Sequence, residues 1–407
     1  MAHIFSFLAS KISRIEKKEF FLIVPILIIA SFLRIFRIEN YLVFLGDEGR
    51  DVLVVYNILH GNLTLLGPTS SVGGFFLGPI YYYFMAPFLW LFGYNPVGPA
   101  IMVAIFGVLT VLFIYIIGKE FFGAKAGIIA AALYAIAPFV ILHSRSSWNP
   151  NVMPFFSLVT LYSLYKAFEK NKKSLFLLSG FLFGICMQLH YLATFLGVVI
   201  FVYILFSGVY LEKLKNIKSL VVNTLKRYVL FVIGFLIGFS PFILFEARHN
   251  FTNTLNILNF IVNSPDTGAG PGFSNTITDV LFRIFGSLIV AFPPISKISL
   301  FGPNVIGVWG IFVWVLVFVS IFFLIKDFKK SILKNSLLAC WLLFGVLLFG
   351  FYKKPIYEYY FVFIFALPFL LVGNALSELF NFFKRNSFLS LIPLVAFISI
   401  VLINLYF

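Results

Sequence analysis

The sequence predicts an all-α polytopic membrane protein, and three observations carry that prediction. Of its 407 residues, 61% are hydrophobic and 20% aromatic, and the mean hydropathy is +1.03. A soluble fold needs a polar exterior that this composition does not supply. The apolar residues also come in blocks of about fifteen to twenty, the helical length that crosses a hydrocarbon core. A membrane barrel would instead read as alternating segments of about ten. Finally, the formal charge of +15 comes from lysines and arginines placed in short connections between the blocks, the pattern of cytoplasmic loops. That placement explains the basic balance without nucleic acid. The whole of 1–407 reads as one integral-membrane domain. Cys186 and Cys340 each lie inside an apolar run and read as packing residues, with neither metal spacing nor a disulfide framework.

Taken in order, the chain begins with Lys11, Arg14, Lys17 and Lys18 ahead of Phe20–Leu33. This resembles a signal sequence, but no small-residue cleavage site follows, so the segment is expected to stay as the first membrane helix. Spans are predicted at 20–38, 97–118, 125–142, 152–168, 174–190, 192–209, 228–246, 303–325, 336–352, 358–377 and 387–406, eleven in all. Two shorter apolar runs remain, Pro79–Gly93 and Val280–Phe292. Fifteen helical residues reach roughly 22 Å, short of a core about 30 Å thick, so both are expected to be interfacial. Most of the 30 lysines and arginines then share the side of the N-terminus, which is expected to be cytoplasmic. The other side keeps Arg34, Arg37, Arg50, Arg145, Arg248, Arg283, Lys297, Lys353 and Lys354. His60, His143, His190 and His249 also fall there, with Asp47, Glu48, Asp51, Glu246 and Glu358. The inner loops read as simple Lys-rich anchors, and the mixed outer face of a cell-membrane protein is where a chemical site is expected.

The first outer loop, 39–96, opens with Phe44-Leu-Gly-Asp47-Glu48-Gly-Arg50-Asp51, a dense cluster in a chain only 11% charged. Such a cluster is either a solvated helix end or a general-base site. Val52, Leu53, Tyr56 and Leu59 recur at helical spacing, which predicts an amphipathic helix over 49–60 lying on the membrane. Gly67–Gly74 reads as a flexible turn-rich stretch, without the lysine and preceding strand that a nucleotide loop needs. The second outer loop, 247–302, contains Asn263–Gly272, a lid over the site or slack.

The arginine-flanked first helix, the Asp-Glu pair, the Pro-Tyr-rich segment Gly78–Tyr83 and the helix ending in Gly118-Lys-Glu-Phe-Phe-Gly123 resemble the GT-C membrane glycosyltransferases. Within these, the set is similar to the group holding protein O-mannosyltransferases and the lipid A aminoarabinose transferase. The resemblance covers roughly 20–170, plus the late tyrosine-rich Lys353-Lys-Pro-Ile-Tyr-Glu-Tyr-Tyr360. It implies a polyprenyl-phosphate sugar donor with its head group on the outer face, Asp47 in the position of the catalytic carboxylate, and Glu48 in support. An acceptor hydroxyl loses its proton as it attacks the anomeric carbon, and a carboxylate can take it. Cationic groups must steady the leaving lipid phosphate, and Arg145, Arg248, Lys353 and Lys354 are available.

The chain departs from the group twice. Asn149 and Asn151 stand where relatives carry a second carboxylate, and Leu77-Gly78-Pro79 replaces a Lys-Pro-Pro entry to the interfacial helix. Each further candidate has two readings. His190 is a turn histidine bonded to backbone or a substrate contact. Glu246, Arg248 and His249 close a helix end as an ion pair or bind substrate. Lys353 and Lys354 anchor lipid or bind phosphate, and Tyr357 belongs to the aromatic belt or to a sugar platform. Arg50 joins the substrate-binding candidates, and the histidine spacing does not point to a divalent metal. The function expected is inverting transfer of a sugar to a glycan, lipid or protein acceptor. The alternatives are an envelope polysaccharide polymerase or ligase, and a lipid or solute transporter.

Overall fold

The computed structural model describes residues 16–70, 74–212, 217–263, 268, 272–386 and 388–407. Helix α1 (Lys17–Ile35) runs antiparallel to α5 (Val97–Phe122), which sits at the centre with α6 (Ala124–Ile136) folded back against it. Between α1 and α5 come α2 (Ile38–Tyr41), α3 (Gly46–Leu59) and α4 (Ile80–Leu91). After α6 follow α7 (Pro138–His143), α8 (Met153–Glu169), α9 (Lys173–Leu189), α10 (Ala193–Glu212), α11 (Ile217–Gly238), α12 (Ser240–Arg248) and α13 (Thr252–Asn263). The chain ends in α14 (Phe273–Ile289), α15 (Pro303–Lys326), α16 (Ile332–Leu347), α17 (Ala366–Phe383) and α18 (Leu391–Tyr406). Each of the eleven predicted runs overlaps one of these helices or a broken pair, although the 358–377 run opens with a 3-10 segment, Glu358–Phe363, ahead of α17. Among the described residues, six helices are by themselves long and apolar enough to cross a membrane: α5, α10, α11, α15, α16 with its 3-10 extension, and α17.

Small residues let the helices approach. Gly180 and Gly184 on α9 face Gly234 and Gly238 on α11, and a side chain at any of the four would run into the opposing backbone. Both helices carry glycines four apart, the spacing that puts bare backbone on one stripe and permits close packing in lipid.

At one end of the bundle, two arginines tie α1 to the α6–α7 corner. The buried Arg34 donates to the carbonyls of Tyr134 and Ala135, 3.2 and 2.9 Å away, where α6 stops. Arg145 returns the bond, donating to Leu33 and Phe36 at the end of α1. Each guanidinium thus satisfies carbonyls that a helix C-terminus leaves open, and complements its partial negative charge.

The opposite end is not the set of simple lysine anchors expected. Lys119 binds Glu19 at 2.5 Å, with the Tyr115 hydroxyl donating to the same oxygen. Lys166 pairs with both Glu120 and Glu169, and Lys334 donates to the carbonyl of Phe121. These lysines face acidic and carbonyl partners within the protein because four helix ends converge there, those of α1, α5, α8 and α16. Lys11, Arg14, Lys213 and Lys215 lie outside the described residues.

Two expectations for the first loop need correction. The stretch after Gly67 is not a slack turn in its described parts, because Thr69 and Phe76 form an antiparallel bridge. Gly67 and Leu77 are hydrogen-bonded across it, and Gly67 packs directly on the Gly78 carbonyl, leaving no room for a side chain. Residues 71–73 lie outside the described residues, as does most of the expected lid at 263–272. In α3, the buried stripe is Glu48, Asp51, Val55 and Ile58, while Leu53 and Tyr56 are exposed. The helix starts at Gly46, earlier than expected, so its acidic first turn lies partly on the packed face.

Candidate active site

The first two turns of α3 present their carboxylates in three different states. Asp47 keeps 58% of its side chain exposed and pairs with Arg50 at 3.0 Å. Glu48 is buried and reaches back to accept the Leu45 N–H at 3.0 Å, which seats the helix start. Asp51 is fully buried and takes two bonds from Arg50, at 3.0 and 2.8 Å, and one from the Tyr82 hydroxyl at 3.2 Å. Its second oxygen has no partner among the described residues. Burial pushes the Asp51 carboxyl up to about 6, against the opposing pull of Arg50 and Tyr82. Arg50 is therefore held between a buried carboxylate and an open one.

Helix α4 fixes this geometry from behind. Its three consecutive tyrosines fan around the helix and fasten separate segments: Tyr81 meets Ser147, Tyr82 meets Asp51, and Tyr83 donates to the Thr64 carbonyl. Ser146 in turn accepts the Val43 N–H at 3.0 Å, holding the extended lead-in to Asp47 beside the 144–151 turn.

A cleft of about 540 Å³ opens there, lined by Asp47, Glu48, His143, Ser146, Trp148 and Asn151 among others. Of the two asparagines, Asn151 is the one in the cleft. Its amide nitrogen donates to Ser146, and its oxygen is buried with no partner among the described residues. Asn149 instead donates to the Leu189 carbonyl at 2.5 Å and ties the turn to the end of α9. Arg145 caps α1 here, with its guanidinium 4.8 Å from the Tyr41 ring, and it does not line this cleft.

A second cleft, about 550 Å³, lies between α14 and the 350–356 segment, with Asp279, Arg283, Tyr352, Lys353 and Lys354 on its walls. Arg283 bridges Asp279 at 3.2 Å and Glu358 at 2.7 Å. An aromatic series links the two clefts: Trp148 to Tyr359 at 4.7 Å, Tyr359 to Tyr360 at 4.6 Å, and Tyr360 to Tyr352 at 6.0 Å. Tyr357 stacks on Tyr359 and is more than half exposed. His190 backs this wall, 6.2 Å from Tyr359, and its Nδ1 accepts the Leu192 N–H, which realises the backbone-bonded reading.

Glu246, Arg248 and His249 line neither cleft. Glu246 is buried and accepts the Thr254 N–H at 2.7 Å, while Arg248 and His249 are exposed at the end of α12. No ion pair joins Glu246 to Arg248 among the described residues, so the expected helix-closing pair is replaced by a backbone cap. The sequence does not single out Trp148, Ser146, Arg283 or Tyr82 as site residues. The three tyrosines at successive positions were visible, but what each one fastens was not. Among the described residues no three of His, Cys, Asp and Glu gather as a metal-ion set.

With this geometry in place, the chain can be compared with known proteins. Residues 77–245 match the profile of dolichyl-phosphate-mannose-protein mannosyltransferases. That range runs from Leu77, just past the Thr69–Phe76 bridge, into α12 and leaves out α3, so it overlaps the expected extent of 20–170 without the Asp47 segment. Comparison with curated protein sequences finds no match. Among solved structures, the archaeal oligosaccharyltransferase AglB from Archaeoglobus fulgidus, in complex with an inhibitory peptide and a dolichol-phosphate, aligns with TM-score 0.62 and 14% identity. The alignment covers 95% of this chain and 55% of that one. ArnT from Cupriavidus metallidurans, bound to undecaprenyl phosphate, aligns with TM-score 0.59 and 14% identity, over 88% of this chain and 60% of its own. The chain thus spans between half and two thirds of the length of the structures it matches. The chain is a multi-pass membrane protein with the GT-C glycosyltransferase fold, and it resembles the group of protein O-mannosyltransferases and aminoarabinose transferases.

Proposed function

We propose that the protein is an inverting glycosyltransferase that moves a sugar from a polyprenyl-phosphate carrier to an acceptor on the non-cytoplasmic face of the cell membrane. The observation that carries this reading is an exposed Asp47, oriented by Arg50, at the mouth of a cleft in a GT-C fold. Two of the similar solved structures hold lipid phosphates, and that property is extended to this chain as part of the proposal. In the reaction, the acceptor hydroxyl gives its proton to Asp47 while its oxygen bonds to the anomeric carbon. The bond from that carbon to the phosphate oxygen breaks on the opposite side, so configuration inverts and lipid phosphate leaves. Asn151 and Trp148 would orient the sugar or acceptor. Lys353 and Arg283, on the second cleft, replace Arg145 and Arg248 as the proposed holders of the phosphate.

Two experiments test this. Purified protein given a polyprenyl-phosphate sugar and candidate acceptors should release lipid phosphate in step with glycoside formation. If the product is an extended chain, the polymerase reading wins. For orientation, single cysteines at His60 and Leu300 should react with an impermeant maleimide from outside intact cells, and those at Lys170 and Lys330 should not. The reverse pattern would place Asp47 on the cytoplasmic side and end the proposal.

A further inference from the structure

Neither cleft uses α13, yet its surface is clearly sorted. At about 100° per residue its side chains divide into three lengthwise faces. Asn253, Ile257 and Phe260 turn inward, and Asn253 is only 4% exposed. Asn256, Asn259 and Asn263 form an exposed polar row. Leu255, Leu258 and Val262 form an exposed apolar row, 58%, 51% and 75% open, with Phe251 in line before the first turn. No charged residue occurs from 250 to 263.

The chain reaches α13 from the membrane-length α11 through the short α12. The α11 residues Leu236 and Ile237, and Leu244 on α12, are themselves exposed apolar side chains, so the lipid-facing surface continues along the chain into Phe251. Between them the backbone breaks sharply: Asn250 and Phe251 both take left-handed conformations, with φ of 53° and 57°. Such residues persist only where surroundings over-determine them. Glu246 does so here, its carbonyl accepting the His249 and Phe251 N–H groups and its carboxylate accepting that of Thr254. The turn redirects the chain at the end of a span instead of prolonging it.

The inward face grips Phe76. Asn253 accepts the Phe76 N–H at 2.7 Å and donates to the Phe76 carbonyl at 2.9 Å. The Phe260 ring lies 6.3 Å from Phe75, which meets Tyr191 edge-on at 6.1 Å. Tyr191 stacks on His190, behind the aromatic wall.

We infer that α13 lies in the plane of the bilayer surface, its Leu255–Leu258–Val262 row sunk among neutral lipid chains, its asparagine row in water, and its Asn253 face bracing Phe76 beside the Thr69–Phe76 bridge. Without charged side chains the attachment is by apolar burial alone, so it does not depend on anionic lipid. This rests on the chain spanning a membrane and not on glycosyl transfer.

The test places a spin label on cysteine at Leu258 or Asn259 of the full chain in phosphatidylcholine vesicles, with the unsubstituted chain controlling for Cys186 and Cys340. Dissolved oxygen should relax the Leu258→Cys label more than a water-soluble nickel chelate does, and the Asn259→Cys label should give the reverse. Adding phosphatidylglycerol should change neither. A water-like reading at both sites, shielding of both from both reagents, or a requirement for phosphatidylglycerol would overturn the assignment. Separately, Asn253→Ala should keep the Leu258 reading but speed hydrogen exchange of the Phe76 amide several-fold. Unchanged exchange there would remove the bracing role.

Discussion

The two ends of the helix bundle both carry dense charge, and they spend it in opposite ways. At the end holding Glu19, Lys119, Glu120, Lys166 and Glu169, carboxylates meet lysines and tyrosine hydroxyls, and Lys166 is only 5% exposed between its two acidic partners. At the other end Asp47 is open, Asp51 has a bare buried oxygen, and Asn151 has another. Saturated buried charge holds helices together, because removing one partner strands the rest. Unsaturated charge beside a cleft is what a substrate can complete. Charge density alone would have ranked the two ends equally, and it is their partners that separate them.

The sharpest way to break this comparison is Asp47→Asn. It keeps size and most hydrogen bonding but cannot accept a proton, so transfer rate should fall about 10²–10⁴-fold with folding intact. A wild-type rate with normal donor binding would make Asp47 a helix-end charge like those at the other pole. The matching change at the saturated end is Lys166→Met. It should cost about 3–5 kcal/mol of stability by leaving Glu120 and Glu169 facing each other, read as a lowered melting temperature in detergent. Surviving protein should turn over normally, and a rate loss without a stability loss would erase the distinction between the ends.

Asp51 sharpens the comparison through pH. Its folded carboxyl sits at about 6, above the ordinary 3.8, so between those values the folded state holds a proton that the unfolded chain has lost. Its contribution to stability should therefore fall as pH rises from about 4 to 6 and stay flat above. Midpoints of thermal unfolding across that window should slope in the wild type, and the slope should lessen in Asp51→Asn. The smallest effect is expected for Glu48→Gln. It weakens the bond to the Leu45 N–H, worth about 1 kcal/mol at a helix start, so turnover should fall less than tenfold at 1.36 kcal/mol per decade.

Particular residues mark how much of this was legible beforehand. Asp47 stood out because a short acidic run in an apolar chain has no packing reason to exist. Its pairing with an arginine three residues on follows from helical spacing. Asp51 looked equivalent, since nothing nearby announces that Tyr82, thirty-one residues later, closes over it. Arg145 was readable as a cation in the right loop, but its destination was set by the open carbonyls of α1, more than a hundred residues earlier. Glu246 and Arg248 looked like a pair on one helix end, and the backbone turn after them claimed the carboxylate first.

By itself the sequence determined the membrane class, the positions of the apolar runs and the acidic cluster ahead of an amphipathic helix in the first loop. A bilayer allows only chains that satisfy their own backbone over a fixed thickness, so composition and length decide those features locally. Only the tertiary structure decided which glycine stripes meet, which cations are consumed as helix caps, and which face of α3 is buried. Those outcomes depend on pairs of groups far apart in sequence that come within a few ångströms, and the energies of such contacts exist only once the helices are packed.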